Sequence, residues 1–334
     1  MKNKFTYPKF WYKKNIYTLL LLPLSFLYKF IILWRRYLYE YGLFKTTKFT
    51  VPVIIVGNIT VGGVGKTPLV LWLINFLVEN GFKPGVVSRG YGGKQNKTPF
   101  IVTNANSAFD VGDEALMIVQ RTSCPMVIAK NRVAAVQKLL AAFNCNIVIS
   151  DDGLQHYALA RDLEIVVIDG ERMFGNGYCL PAGPLREPRS RLKNVEFIVT
   201  NSNNKNELNY TMQLTPKGFY NVKNPKLQID IQELINKQIH AIAGIGNPSR
   251  FFDSLKKMGL SIIEHSFPDH YFFSADDFKF SKNAIVLMTE KDAVKCGKFA
   301  SDNWWYLQIN AQLDNVFVDN ITSRLNNFLN QRDS

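Results

Sequence analysis

Residues 51–68 read VPVIIVGNITVGGVGKTP, and this stretch decides the fold of the chain. It begins with a β-branched run, residues 51–56, of the kind that forms a buried parallel strand. A glycine-rich loop that ends in Lys66-Thr67 follows, and apolar side chains then recur at helical spacing as far as Asn80. A strand, a glycine-rich loop ending in Lys-Thr and a helix form the arrangement that cradles a nucleotide phosphate. The sequence therefore predicts a P-loop.

The residues of this loop have specific expected contacts with a nucleotide. Backbone N–H groups of the turn converge on phosphate oxygens, Lys66 reaches the β- and γ-phosphates, and the Thr67 hydroxyl binds Mg²⁺. Thr60 departs from the usual G-x-x-x-x-G-K-[ST] pattern, because it stands where the first glycine is expected. The residues predicted to hold the nucleotide are Thr60, Val61, Gly62, Gly63, Val64, Gly65, Lys66, Thr67 and Pro68.

A second strand-like run, residues 146–150, ends in two acidic residues, Asp151 and Asp152. An apolar strand that ends in acid downstream of a P-loop is where a Mg²⁺-binding carboxylate is expected. Adjacent side chains point apart, so one of the two faces the metal, and the sequence leaves open which. The motifs N-K-x-D and T-K-x-D, which would indicate guanine, do not occur. We therefore predict ATP and Mg²⁺ as cofactors.

Strand-like and helix-like segments alternate along most of the chain, which predicts an α/β fold with a doubly wound parallel sheet of the P-loop NTPase type. After residue 200 the composition becomes polar, and a second, smaller α/β domain is expected to follow. Catalysis would then require the two lobes to close. The predicted units are an N-terminal membrane-associated helix over residues 1–40, a P-loop core over 41–205, an extended linker over 206–235 and the smaller domain over 236–334.

The positive charge of the chain is concentrated at its N-terminus. The 334 residues carry a net charge of +13, and residues 1–48 alone contribute +9 from ten basic residues and one acidic residue. An excess of this kind calls for an acidic partner, either nucleic acid, anionic lipid or a phosphorylated substrate. The four cysteines are widely separated, which argues against a disulfide scaffold and favours a reducing compartment.

Residues 16–34 form the most apolar run of the chain, with Lys29 as its only charge. A signal peptide is disfavoured because no small-residue cleavage site follows the run. A transmembrane helix needs ~20 apolar residues, whereas the uncharged stretch 15–28 has 14. We therefore favour a helix in the membrane interface over a buried helix or a short span, and nucleic acid is not expected as a partner. The aromatic side chains predicted at headgroup level are Trp11, Tyr12, Tyr17, Tyr28, Trp34, Tyr37 and Tyr39.

Several longer motifs occur in a fixed order around the P-loop. They are S-R-G-Y-G-G (88–93), G-D-E-A (112–115), D-D-G-L-Q-H (151–156), G-N-G-Y-C-L-P-A-G-P-L-R-E-P (175–188), F-P-D-H-Y (267–271) and T-E-K-D-A-V-K (289–295). With the P-loop, this set resembles the tetraacyldisaccharide 4′-kinase family, the lipid A 4′-kinases of Gram-negative bacteria. The resemblance extends from the N-terminal helix to about residue 310, and it includes the unusual P-loop.

The resemblance implies transfer of the ATP γ-phosphate to the 4′-hydroxyl of a tetraacylated glucosamine disaccharide 1-phosphate, which gives lipid IVA. The resemblance also implies that the protein binds the anionic surface of the inner membrane at its cytoplasmic face. By similarity, Asp113 is the catalytic carboxylate, His270 is its partner, and Lys66 and Arg186 stabilise charge. The residues implied to serve Mg²⁺ or its waters are Thr67, Glu114, Asp151, Asp152, Gln155 and Glu187, with Gln155 also near the nucleotide.

Each of these residues also has a structural interpretation. Asp113 and Glu114 could be acids at a helix N-terminus, which the helix dipole favours by only ~0.3–1 kcal/mol. His270 could be a loop histidine bonded to backbone, His156 fits site and scaffold equally well, and Lys291 has no assigned role. The alternative function is a membrane-associated ATPase switch that acts on a partner protein, which would explain the P-loop and the apolar helix but not the acceptor-side motifs.

Overall fold

The computed structural model describes residues 8–13, 15–95, 97–202, 210–279 and 284–330. The helices within these ranges are α1 (Ile16–Glu40), α2 (Lys66–Glu79), α3 (Ala108–Val111), α4 (Asp113–Thr122), α5 (Arg132–Ala142), α6 (Pro248–Lys257), α7 (Glu290–Cys296) and α8 (Asn315–Asn330). The strands are β1 (Val53–Gly57), β2 (Pro84–Ser88), β3 (Phe100–Val102), β4 (Met126–Ile128), β5 (Ile147–Asp151), β6 (Leu163–Asp169), β7 (Phe197–Asn201), β8 (Tyr210–Asn221), β9 (Gln228–Ile229), β10 (Gln238–Ala243), β11 (Ser261–Ser266), β12 (Ile285–Thr289) and β13 (Trp304–Leu313).

All of these strands belong to one sheet, in the order β11-β10-β12-β13-β8-β7-β6-β1-β5-β2-β4-β3, with β9 paired to β8. The P-loop strand β1 lies between β5 and β6 and is parallel to both. The predicted α/β fold with a parallel sheet around the P-loop is therefore confirmed. The sheet is mixed overall, because β3 and β4 are antiparallel and β8 is antiparallel to both β13 and β9.

Strand β8 joins the two halves of the molecule. It is parallel to β7 on one side and antiparallel to β13 on the other, so it continues the sheet from the P-loop half into the C-terminal half. The register shifts between Gln308 and Ile309, opposite Pro216 and Gly218, which leaves Lys217 as the extra residue of a bulge. A bulge accommodates a proline that cannot donate to the ladder. Much of the segment predicted as a linker, 206–235, is thus part of the sheet, while residues 203–209 lie outside the described ranges.

Helix α2, which follows the P-loop, packs against the sheet through buried apolar side chains. Its apolar residues Leu69, Leu73 and Leu77 have no exposed surface and belong to a core that also contains Ile54 of β1. The tight packing of α2 against the sheet fixes the position of its N-terminus, where Lys66 begins the helix. The P-loop is therefore held on a rigid base.

Helix α1 buries polar side chains and exposes apolar ones, the reverse of an ordinary surface helix. Its buried residues are Thr18 and Ser25, whereas Leu20 and Phe30 are 68% and 63% exposed. A surface helix of a globular protein normally turns its apolar stripe inward. In length and composition α1 could cross a membrane, because the helix continues well past the uncharged stretch of 14 residues. Lys2, Lys4 and Lys14 of the basic segment lie outside the described ranges.

Three of the aromatic side chains predicted at headgroup level also contact the body of the protein. The Trp11 indole N–H donates to the Pro181 carbonyl at 3.0 Å, and the Tyr28 hydroxyl donates to the Arg186 carbonyl at 3.2 Å. The Tyr39 ring lies 5.9 Å from that of Tyr157. The three side chains are half-buried, and their position at headgroup level stays a prediction.

Candidate active site

The P-loop places a lysine ammonium at the carboxyl ends of β1 and β5. Gly65 has φ +98° and precedes α2, a conformation that favours glycine. Lys66 Nζ lies 3.2 Å from Asn58 Oδ1 and 3.2 Å from Asp152 Oδ1. Parallel strands and the following helix N-terminus direct backbone N–H groups and positive charge to this point. The arrangement suits the phosphates of a nucleotide.

Three side chains that lie at or after the ends of strands donate hydrogen bonds to carbonyl groups of the P-loop. Asn58 Nδ2 donates to the Thr60 carbonyl at 2.7 Å, Asn201 Nδ2 donates to the Val64 carbonyl at 3.1 Å, and Arg172 donates to the Gly63 carbonyl. Sequence reasoning missed Asn201 and Arg172. Asn201 could have been found, because it ends β7 and the carboxyl ends of parallel strands meet at one edge of the sheet.

The two acids at the end of β5, Asp151 and Asp152, have opposite environments. Asp152 has φ +49° and turns toward cations, with the Lys66 ammonium at 3.2 Å and the Arg186 guanidinium at 3.1 Å. Burial raises the pKa of Asp152, but Lys66 and Arg186 outweigh burial and lower this pKa to about 2. Asp152 is therefore ionised at neutral pH.

Asp151 is enclosed at the end of its strand, with 1% of its surface exposed. Its Oδ1 has no hydrogen-bond partner within the described ranges, and its Oδ2 lies 3.5 Å from the Ser88 hydroxyl. Burial, and next the charge of Glu114, raise the pKa of Asp151 to about 7. A buried carboxylate oxygen without a partner is costly unless a cation or proton satisfies it.

Arg186 and Glu187 follow each other in the chain but point to different surroundings. The Arg186 side chain donates to both oxygens of Asp152. The Glu187 carboxylate is buried, accepts from Gln155 Nε2 at 2.7 Å and from the Tyr157 hydroxyl, and lies 3.5 Å from the Arg191 guanidinium. Gln155 Nε2 also donates to the Asn58 carbonyl at 3.1 Å. Glu187 thus braces the P-loop through Gln155, and its predicted metal contact stays a prediction.

A second cluster joins the two halves of the molecule. His270 Nδ1 lies 2.9 Å from Asp113 Oδ2, and Lys291 Nζ lies 3.4 Å from His270 Nε2. The same ammonium lies 3.2 Å from Glu114 and 3.3 Å from Asp269. With Asp113 ionised, the imidazole Nδ1–H donates to the carboxylate and Nε2 accepts from Lys291. The structure therefore brings together all five of these residues.

The charges of this cluster keep Asp113 ionised. Burial raises the pKa of the Asp113 carboxyl, but Lys291 and the hydrogen bond from His270 outweigh burial and hold this pKa below its ordinary value. Burial lowers the pKa of Lys291, but Glu114, Asp113 and Asp269 raise it more strongly, so its pKa lies above the ordinary value. A second ammonium, that of Lys295, lies 4.0 Å from Asp113 Oδ2. Sequence reasoning missed Lys295, although it is one turn after Lys291 in the same helix.

Local backbone geometry places Asp113 at this point. Gly112 has φ +90°, and a Cβ at this position would lie 2.4 Å from the Tyr91 carbonyl oxygen, so only glycine fits. Asp113 then begins α4, and the Tyr91 ring lies 4.9 Å from that of His270. His270 has φ +59°, which points to a constrained loop. The pair with Asp113 is formed in this structure, and the predicted closure of the lobes stays a prediction.

The two clusters adjoin one another. Glu114 follows Asp113 in α4, and its charge contributes to the raised pKa of Asp151. The lobes are further connected by Arg121, whose guanidinium donates to Glu290 Oε2 at 2.9 Å and to the Ile309 carbonyl at 2.8 Å. Glu114 therefore links the cluster around Asp113 to the acids beside the P-loop.

His156 belongs to the scaffold in this structure. Its Nε2 lies 3.2 Å from the Arg132 backbone nitrogen, whose N–H it accepts at the start of α5. Burial, and next the neighbouring guanidinium groups of Arg132 and Arg161, lower the pKa of His156 to about 4. The imidazole is therefore neutral at physiological pH, as a backbone acceptor must be.

Comparison with known proteins places the chain among kinases of one kind. The family model described as tetraacyldisaccharide-1-P 4′-kinase matches residues 17–326. A tetraacyldisaccharide 4′-kinase of Methylobacillus flagellatus is 51% identical over 316 residues, which cover 94% of either chain. One of Coxiella burnetii is 48% identical over 323 residues, which cover 96% of either chain. A crystal structure of LpxK from Aquifex aeolicus in complex with ATP has a TM-score of 0.80 and 29% identity, and covers 93% of this chain and 99% of that chain.

Proposed function

The chain belongs to the tetraacyldisaccharide-1-P 4′-kinase family, and from this premise we infer how its two clusters divide the reaction. The chain is an ATP-dependent phosphotransferase of lipid A biosynthesis, which transfers the γ-phosphate to the 4′-hydroxyl of a tetraacyldisaccharide 1-phosphate and gives lipid IVA. One cluster suits the phosphates of ATP, and the other suits the hydroxyl that attacks. The observation that carries this division is the Asp113–His270 pair, which lies outside the nucleotide-binding motif.

On the nucleotide side we propose that the P-loop holds the phosphates. The backbone of residues 60–68 surrounds them, the Gln155 amide fixes the start of the loop, and Lys66 approaches the β- and γ-phosphates. In the structure Lys66 and Arg186 share Asp152 as their counterion. When ATP binds, both cations are free to turn toward the phosphates and stabilise the charge that spreads over the transferred group.

The donor set at this site fits Mg²⁺. Asp151 offers a buried carboxylate oxygen without a partner in the described part of the chain. Within that part, no group of three or more His, Cys, Asp or Glu side chains is arranged to hold a metal ion by itself, but Mg²⁺ is usually held by one or two carboxylates plus phosphates. We propose that Asp151 and the Thr67 hydroxyl would hold the ion directly, that Asp152 and Glu114 would reach it through its waters, and that Glu187 acts through Gln155. When bound, the ion would offset charge on the β- and γ-phosphates.

On the acceptor side we propose that Asp113 accepts the proton of the 4′-hydroxyl as that oxygen attacks the γ-phosphorus. A sugar hydroxyl is a weak nucleophile, and a positioned base typically contributes 10²- to 10⁴-fold. His270 orients the carboxylate through its Nδ1–H, and Lys291 fixes the imidazole tautomer from the other side. The ATPase-switch alternative is not favoured, because it gives these residues no task.

Helix α1 fits association with a membrane. We propose that it lies in the interface of the inner membrane at its cytoplasmic face, where ATP is present. Its outward side is apolar, with Leu20 and Phe30 well exposed, and Lys29 can reach anionic headgroups. The anionic acyl disaccharide would then enter the cleft from the same surface.

The transfer itself is tested with ATP labelled at the γ-phosphate and purified tetraacyldisaccharide 1-phosphate. The account predicts label in the lipid with the wild type and almost none with Asp113→Asn. If label leaves only as free inorganic phosphate, the chain is an ATPase and the assignment fails. Boiled protein and disaccharide without ATP are the blanks.

The membrane proposal is tested with vesicles that contain phosphatidylglycerol. Serine at Leu20, Leu24 and Phe30 should reduce co-sedimentation strongly, whereas serine at Leu227 and Val316, two equally exposed apolar residues elsewhere, should not. Extraction of cell membranes at alkaline pH separates the two placements of α1. An interfacial helix is released, and retention in the pellet would indicate a span.

A further inference from the structure

Helix α1, here called the membrane helix, contacts the loop that carries Arg186. This loop, residues 175–188, is called the Arg186 loop. The Ser25 hydroxyl donates to the Cys179 carbonyl at 2.7 Å, and the Tyr28 hydroxyl donates to the Arg186 carbonyl at 3.2 Å. Trp11, just before α1, donates to the Pro181 carbonyl at 3.0 Å. The helix therefore rests on the Arg186 loop through polar contacts.

The same loop is bonded on its other side to the start of the P-loop. The Arg186 N–H donates to the Ile59 carbonyl at 2.7 Å, and the Val61 N–H donates to the Pro184 carbonyl at 2.8 Å. Thr60 and Leu185 form an antiparallel bridge between these contacts. The backbone of Arg186 is thus held at its N–H by the nucleotide-binding loop and at its carbonyl by the membrane helix.

The side chain of Arg186 depends on this placement. Its guanidinium donates to both oxygens of Asp152 at 3.1 Å, and Asp152 also pairs with Lys66. A loop that shifts by a fraction of an ångström would carry the guanidinium with it. Phosphoryl transfer is sensitive to such displacements, because catalysis rests on positioning and charge stabilisation.

We propose that Tyr28 is a positioning residue for phosphoryl transfer, and that through Tyr28 the membrane helix holds Arg186 in register with the P-loop. The inference rests on the role proposed above for Arg186. Helix α1 would then have two roles. Tyr28, on the side that faces the protein, contributes to catalysis, and the opposite side binds lipid. Ser25 supports the same loop one helical turn earlier.

The polarity of α1 favours this interpretation over simple packing. A helix that only needed to adhere to the protein would place apolar residues against it, but the positions that contact the Arg186 loop, Ser25 and Tyr28, donate from hydroxyls. A hydroxyl that satisfies a half-buried carbonyl gives a directional contact, whereas apolar packing does not.

The test is Tyr28→Phe in the full-length protein, which removes one hydroxyl and keeps the ring. We expect kcat to fall about fivefold, the size of one lost hydrogen bond, with KM for ATP, melting temperature and vesicle co-sedimentation unchanged. Tyr41→Phe is the matched control, because Tyr41 is exposed at the end of the same helix, and it should retain wild-type kcat.

Combination with Arg186→Lys shows whether Tyr28 acts through Arg186. If it does, Tyr28→Phe causes little further loss in the Arg186→Lys background. A wild-type kcat for Tyr28→Phe, the same fivefold loss in both backgrounds, or a loss explained by release from vesicles would each overturn the inference. Failure of the proposed role of Arg186 is distinguishable, since Arg186→Ala alone would then retain full turnover.

Discussion

The nucleotide side and the acceptor side of the cleft are built in different ways. The nucleotide side is organised around one contiguous motif, which contains Asn58 and Lys66, and distant residues such as Asp152 and Asn201 brace it. The acceptor side depends on Asp113 and His270, which are 157 residues apart and come from opposite ends of the sheet. The centre of one side is a contiguous motif, whereas the central pair of the other side forms only when distant segments of the chain fold together.

The two sides also differ in the arrangement of charge. On the nucleotide side two cations, Lys66 and Arg186, surround one carboxylate, that of Asp152. On the acceptor side three carboxylates surround the ammonium of Lys291. Excess cations attract phosphate, whereas excess carboxylates hold a base ready for a hydroxyl proton. The difference predicts that substitutions on the two sides will affect different kinetic quantities.

The largest effect is expected for Lys66→Met on the nucleotide side. Loss of this ammonium should weaken ATP binding and reduce turnover by at least about 10²-fold, because the same charge serves the ground state and the transition state. Calorimetric titration with ATP and the lipid phosphorylation assay measure the two quantities. Unchanged ATP affinity would break the assignment of this side to the nucleotide.

A smaller and more selective effect is expected for His270→Gln on the acceptor side. Turnover should fall about 10²-fold, while the dissociation constant for ATP changes little, because the imidazole contacts Asp113 rather than phosphate. His265→Gln is the matched control, since His265 lies on the edge strand beside His240. A parallel loss of ATP affinity in His270→Gln would erase the distinction between the two sides.

The smallest effect is expected on the stability of the protein, and it concerns His156, the histidine of the scaffold. Its pKa is lowered to about 4 from the ordinary value of 6.5, so as pH falls the unfolded chain takes up this proton first. The stability that neutral His156 contributes is present above pH 6.5 and is lost as the pH falls toward 4. The melting temperature of the wild type should therefore fall relative to His156→Gln across this window, and a constant difference would contradict the assignment.

Sequence reasoning predicted the nucleotide side better than the acceptor side. The P-loop and the acids at the end of β5 follow from contiguous patterns, because buried parallel strands read as unbroken apolar runs. No pattern in the chain links Asp113 to His270, and only resemblance to a family suggested them as partners. The nature of β8 and the direction of Tyr28 were missed, because both depend on the tertiary neighbours of the segment rather than on its own periodicity.

The most direct test of the division between the two sides is Asp113→Asn, which removes the charge and basicity of the carboxylate and keeps its shape. Calorimetric ATP binding and single-turnover lipid phosphorylation are measured on the same preparation. The account predicts a dissociation constant for ATP within about twofold of the wild type and a rate of phosphoryl transfer at least about 10²-fold lower. Transfer at the wild-type rate, or a loss explained entirely by weaker ATP binding, would contradict it.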